Sequence, residues 1–409
     1  MESAAYKVYG YRWVVQVAFM LVVIVNQLLW ITFAPITSTA ADFYQVSDLE
    51  IGLLSLSFMA VFIVMSIPAS WVIDSRGLRL GVGIGAALTA VFGLMRGLAG
   101  ASYNLVLISQ IGIAIGQPFV LNAITKVAAR WFPMQERATA SGLGSLAIYV
   151  GILMGLALTP YLTSALGIPG MLQVYGAISV VAALAFAILI RERPPTPPCP
   201  PEQEARSLVL DGLRETIRKG AFIRLMIVFF VGLGVFNAVT TWIENIVGPR
   251  GFSSEQAGII GGVMIVGGMV GALVLPSLSD RYRKRVPFIV GSLIGALVGL
   301  IGLTLAGSYG LLLASSFVLG ASLLSAGPIG FQYGAEIAYP APEGTSNGLL
   351  LLMGQISGIA FILGMDALKS PATGLMTTSL WILIGFVGLS VLLAATLKES
   401  ALIQGARSP

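Results

Sequence analysis

The chain has 409 residues, 56% of them hydrophobic and 10% charged, with a formal net charge of +5. A soluble domain carries roughly 25% charged residues, so a water-covered surface of this size is excluded, and with it the nucleic-acid partner that net charge alone would imply. One cysteine, Cys199, and no histidine exclude a disulfide framework, a cysteine metal cluster and the commonest proton shuttle; neither metal nor cofactor is expected.

Apolar runs recur from end to end, many of the ~20 residues that a helix needs to cross a bilayer core. They are apolar on every side, which also excludes the alternating pattern of a membrane β-barrel. The pattern predicts twelve transmembrane helices, near Trp13–Ile36, Ile51–Ile73, Leu80–Leu98, Leu105–Ala128, Thr139–Tyr161, Met171–Ile190, Phe222–Ile246, Gln256–Leu278, Val286–Ala306, Leu311–Ala335, Ser346–Met365 and Gly374–Leu397. The 49 glycines let such helices approach closely in lipid. Of the 23 basic residues, all but Arg96, Arg250 and Lys369 fall on one side of the predicted spans. That asymmetry places both termini in the cytoplasm of a cell (inner-type) membrane.

Residues 191–220 form a polar linker with prolines at 194, 195, 197, 198, 200 and 201, which favour extended structure. After them Leu208, Leu210, Leu213 and Ile217 recur at helical spacing, as in a short helix lying on the membrane face. The linker divides a first six-helix bundle, residues 1–190, from a second, residues 221–409. The halves repeat: Asp74 finds Asp280 206 positions later, and Pro133 and Glu136 find Pro340 and Glu343 207 positions later. Duplicated bundles around a central cavity are what alternating access requires.

Polar residues inside the spans mark a candidate cavity. Asn26, Trp30 and Phe33 share one face of the first span, Asn237, Thr241 and Glu244 repeat that spacing on the seventh, and Ser141, Ser145 and Tyr149 do so on the fifth. Gln332 and Tyr333 are expected deep in the tenth span. For any one amide, an interhelical hydrogen bond competes with solute binding; converging polar faces favour a shared cavity. Glu244 is expected near the outer mouth, partly hydrated, attracting cations or coupling protons. Glu336 and Asp366 are expected to be solvated near span ends. No basic group is expected in the middle of a span, Lys126 and Arg96 lying near opposite ends, which disfavours anionic solutes.

The loop from Asp74 through Arg76, Gly77 and Arg79, repeated from Asp280 through Arg281 and Arg283, resembles the signature loop of the major facilitator superfamily. The resemblance implies a conformational latch in which the aspartates meet helix N-termini and basic residues, with Arg137 and Glu343 nearby. Within that superfamily, Asn26-Gln27-Leu28-Leu29-Trp30, Phe33-Ala34-Pro35-Ile36, Gly116-Gln117-Pro118-Phe119, Lys126 to Phe132, Glu343-Gly344 and Gln355 resemble the feline leukaemia virus subgroup C receptor-related family. Its members are described as carriers of choline and ethanolamine, with haem also proposed. The resemblance implies a pocket with a first-helix tryptophan, a seventh-helix tyrosine and glutamines on the fourth and eleventh helices. Trp30, Gln117 and Gln355 match three of these positions, and Asn237 stands at the fourth.

An all-α secondary transporter of a small polar, amine-bearing solute is therefore expected, acting as a monomer in a lipid bilayer. Proton or sodium coupling stays open, as do two alternatives: a proton-coupled carrier of a small organic anion, and a transporter-like receptor that moves nothing.

Overall fold

The computed structural model describes residues 7–133, 136–196, 213–339 and 343–400, with the backbone alone at 138, 213–215 and 343–345. The chain divides into two compact units, Met1–Ser207 and Leu208–Pro409. The first contains α1 (Arg12–Ile31), α2 (Thr37–Tyr44), α3 (Asp48–Arg76), α4 (Leu78–Gly97), α5 (Tyr103–Leu121), α6 (Ile124–Trp131) and α7 (Arg137–Leu189). The second contains α8 (Leu213–Arg218), α9 (Gly220–Thr241), α10 (Ile243–Val247), α11 (Ser254–Tyr282), α12 (Val286–Leu305), α13 (Tyr309–Ala338), α14 (Glu343–Ala367) and α15 (Thr377–Ala395). No strand occurs among the described residues.

Among the described residues, eleven helical stretches are long and apolar enough to span a membrane. The longest, within α7, holds two crossings, because Gly167 leaves helical geometry at φ 68°, ψ 172°. Twelve crossings result, six in each unit, the architecture of a multi-pass membrane protein. Helix starts repeat between units. Ser47 with Glu50 forms a capping box on α3, and Ser253 with Gln256 forms the same box on α11. Ser102 caps α5 as Ser308 caps α13. Each unit has its own apolar core, around Phe19, Val82, Val120 and Phe186 in the first and Phe222, Leu293, Ile329 and Leu350 in the second.

Three expected spans are interrupted. The first helix stops at Ile31 and continues through a 3₁₀ turn, Ala34–Ile36, into α2. Pro35 has no N–H to offer the preceding turn, and the Thr32 hydroxyl bonds back to the Leu28 and Leu29 carbonyls, a pattern that bends helices. The seventh breaks at Trp242, between α9 and α10, where Thr240 bonds back to Phe236 at 2.6 Å. The fourth breaks after Leu121, where Asn122 reaches across to Ser66 and Ser70 of α3. Of the expected surface helix, α8 is the described remainder. The proline run from Pro197 onward, with Leu208 and Leu210, lies outside the described residues.

Close helix contact follows the glycines. In the second unit Gly320 of α13 rests against the Met264 carbonyl of α11, and Gly354 of α14 against Leu233 of α9.

Candidate functional site

The candidate residues separate into those whose polar groups are engaged and those left open. In the first unit Asn26 is wholly buried and donates to the Thr89 hydroxyl of α4 at 3.1 Å, while its own oxygen accepts from Gln27. It ties α1 to α4. Trp30 is 6% exposed, and its indole N–H donates to the Ser55 carbonyl of α3 at 3.2 Å. That spends its only donor, so the ring is what Trp30 can offer a solute. Gln117, equally buried, makes no side-chain hydrogen bond among the described residues. Half-buried Tyr149 makes none either. The Gln117 amide is unengaged among the described residues, so Gln117 is the first-unit position most open to a ligand.

In the second unit the Asn237 amide donates to the Gly354 carbonyl at 3.2 Å, which brings it beside Gln355 on α14. Half-buried Gln355 makes no side-chain hydrogen bond among the described residues. The Thr241 hydroxyl is buried without a partner. Two expectations need correction here. Glu244 is not partly hydrated: it is 6% exposed on α10, a short helix all five of whose residues are buried. Gln332 is not deep in its span: it is exposed, one turn from Glu336, to which it donates at 3.3 Å.

The signature loops are held differently from expectation. Asp74 pairs with Lys126 of α6, and Asp280 pairs with Arg285 at the start of α12. Arg76, Arg79, Arg281 and Arg283 are exposed and, among the described residues, bond to neither aspartate. The helix N-termini after the loops are met by two glutamates that the sequence reading passed over. Glu192 accepts from the backbone N–H of Leu78 at 3.0 Å and of Arg79 at 2.7 Å, and pairs with Arg130. Glu399 accepts from the backbone N–H of Arg285 and Val286, each at 3.0 Å. The glutamate and the two N–H groups it accepts from recur 207 positions on, and that offset was the signal for them. Gly77 sits at φ 98° with no room for a side chain, since a Cβ would run into the Glu192 carboxylate. Carboxylates there also suit the positive ends of α4 and α12.

Glu336, expected to be solvated, is 10% exposed at its side chain and pairs with Arg285 at 3.2 Å. Burial lowers the Arg285 pKa, but the Asp280 and Glu336 carboxylates more than offset it, leaving it above the ordinary guanidinium value. Arg137 donates to the Ala129 and Phe132 carbonyls at the end of α6, and Arg12 grips Glu136 through two hydrogen bonds, 2.9 and 3.2 Å. The side chain of Glu343 lies outside the described residues.

Arg96, expected near a span end, lies there but is buried. It occupies the last turn of α4 with no exposed surface. Its guanidinium donates to the Leu29 carbonyl at 2.9 Å, the Gln110 side-chain oxygen at 2.6 Å and the Thr32 hydroxyl at 3.2 Å. Position near a span end disguised it, because the residues around it, Leu29, Thr32 and Gln110, are brought there by the fold.

A family model described as Major Facilitator Superfamily matches residues 19–362. The chain is 32% identical over 385 residues to solute carrier family 49 member A3 of Danio rerio, covering 90% of this chain and 81% of the relative. It is 30% identical over 413 residues to the choline/ethanolamine transporter FLVCR1 of Felis catus, covering 95% and 73%. Among solved structures, an inward-facing bacterial homologue of the human lysosomal transporter Spinster superposes with a TM-score of 0.77 at 18% identity, covering 96% and 98%. The nucleoside transporter NupG does so at 0.70 and 14%, covering 94% and 99%. These likenesses concern the fold. The relatives are membrane transporters, not enzymes.

Proposed function

Because the chain belongs to the major facilitator superfamily, we propose that it is a secondary transporter moving a small amine-bearing solute of choline type by alternating access. The observation that carries this reading is the state of Trp30. Its N–H is bound to Ser55, so its contribution to binding is an aromatic face, which attracts quaternary ammonium groups by ~0.5–2 kcal/mol. Gln117, buried with an open amide, suits the hydroxyl or amine end of such a solute. Gln355 is the second-unit position to which the resemblance assigns the same task. Relatives named choline/ethanolamine transporters support the substrate class.

The organic-anion alternative draws on Arg96, the buried cation. Three N–H groups of Arg96 go to neighbours in its own unit, while its Nε is buried without a partner among the described residues; the engagement of both Nη atoms favours the amine. The pairs Asp74–Lys126 and Asp280–Arg285 brace the loops on the basic, cytoplasmic face of a cell membrane, with both termini on that side. Their strength biases the balance of inward- and outward-facing states. One chain is the working unit, and Glu244 favours cations on approach. Binding of radiolabelled choline to purified protein tests the substrate class. Saturable binding lost in Gln117→Ala supports it, and absence of binding while a small organic anion binds would replace it.

A further inference from the structure

Arg96 is the one wholly buried cation among the described residues, and a charge inside a span is retained at a cost that calls for a purpose. No carboxylate pairs with it there. Its partners gather instead where α1 stops. The last carbonyls of a helix lack intrahelical donors, and beyond Ile31 the chain turns toward Pro35, which has no N–H to give. Arg96 supplies the Leu29 carbonyl. Gln110 of α5 accepts from Arg96 and donates to Leu29 at 3.2 Å and to the Trp30 carbonyl at 3.5 Å. Thr32, beyond the break, is held by the same guanidinium, and Phe33 lies under it, 5.6 Å from the ring centroid. A cation at this end also meets the negative pole of α1.

We propose that Arg96, acting with Gln110, is the positioning residue for Trp30. The pair holds the Leu29 and Trp30 carbonyls before the break and Arg96 holds the Thr32 hydroxyl beyond it, while Ser55 fixes the indole N–H, so the ring is held in one orientation before solute arrives. Ordering the ring beforehand removes that cost from binding. The inference rests on Trp30 being the solute-facing ring, but its primary test needs no solute.

That test is 19F NMR of the full-length protein labelled with 5-fluorotryptophan. Trp30→Phe and Trp242→Phe assign the two resonances of interest. In Gln110→Leu and Arg96→Lys the Trp30 resonance is expected to shift and broaden, while that of Trp242 in the second unit stays in place. Choline, added as the probe, is expected to bind about tenfold more weakly to both variants. A Trp30 resonance unmoved in both variants overturns the proposal. So does joint movement of the Trp30 and Trp242 resonances, which would mean general loosening. Should Arg96→Lys not fold, Gln110→Leu alone decides by the same criterion. If the wild-type protein binds no choline, the substrate reading fails, and the fluorine spectra still decide whether Arg96 positions Trp30.

Discussion

Replacing Trp30 by alanine removes three things at once, and they report on different quantities. The first is the aromatic face, worth ~0.5–2 kcal/mol to a bound cation. The second is the hydrogen bond to the Ser55 carbonyl, worth about 0.5–1.5 kcal/mol net, since that carbonyl keeps its place in the α3 ladder. The third is the packed volume of a side chain only 6% exposed, for which Trp→Ala costs about 3–5 kcal/mol of stability. The last two act on folding, and only the first enters the dissociation constant of the folded protein. A tenfold loss, about 1.4 kcal/mol, is therefore expected for Trp30→Ala, with a lower melting temperature. Trp30→Phe keeps a ring and loses the N–H, so it is expected to be destabilised while losing less than half of that binding energy. Equilibrium binding of choline to monodisperse purified variants, with a parallel thermal melt, separates the effects. Binding by Trp30→Ala within twofold of wild type would refute the aromatic-face argument.

Glu192→Ala and Glu399→Ala each uncap a helix, α4 and α12 respectively, and each is expected to lower stability by about 1–2 kcal/mol, read as matched drops in melting temperature; no change in either would show the caps to be incidental. Asp74→Asn removes one member of a partly exposed ion pair, so stability is expected to move by less than about 1 kcal/mol. Asp280→Asn takes one of two carboxylates from buried Arg285, with Glu336 still paired to it. Both are expected to slow uptake; unchanged uptake in both would remove the bracing role. Glu244→Gln is expected to raise the KM for choline and to keep exchange. Because the carboxylate is 6% exposed, added salt should alter that effect little. Loss of proton-driven accumulation with exchange and KM intact would instead make Glu244 the coupling group.

Hydropathy and charge sufficed for the crossings, because bilayer thickness sets helix length and the linker separates two runs of six. The breaks at Thr32 and Trp242 were hidden, because threonine back-bonding leaves no trace in hydrophobic periodicity. Among site residues, helical spacing put Asn26 and Trp30 on one face but could not tell that Asn26 is spent on Thr89 and Trp30 on Ser55. Glu244 was misjudged because its height along a straight helix says nothing of its burial on α10. Glu192 and Glu399 were legible in principle, since they stand 207 positions apart as Glu136 and Glu343 do. Arg96 was not, because its neighbours come from α1 and α5, 64 to 67 positions before it and 14 after it.

Counterflow in proteoliposomes is the most direct trial of the proposed transport. Vesicles containing the purified protein are loaded with unlabelled choline and diluted into a trace of labelled choline. The proposed function predicts a transient accumulation of label above equilibrium, lost in Trp30→Ala and in Gln117→Ala and absent from protein-free vesicles. Saturable binding of choline without any such accumulation would contradict it, and would make the protein a receptor that holds its solute without moving it.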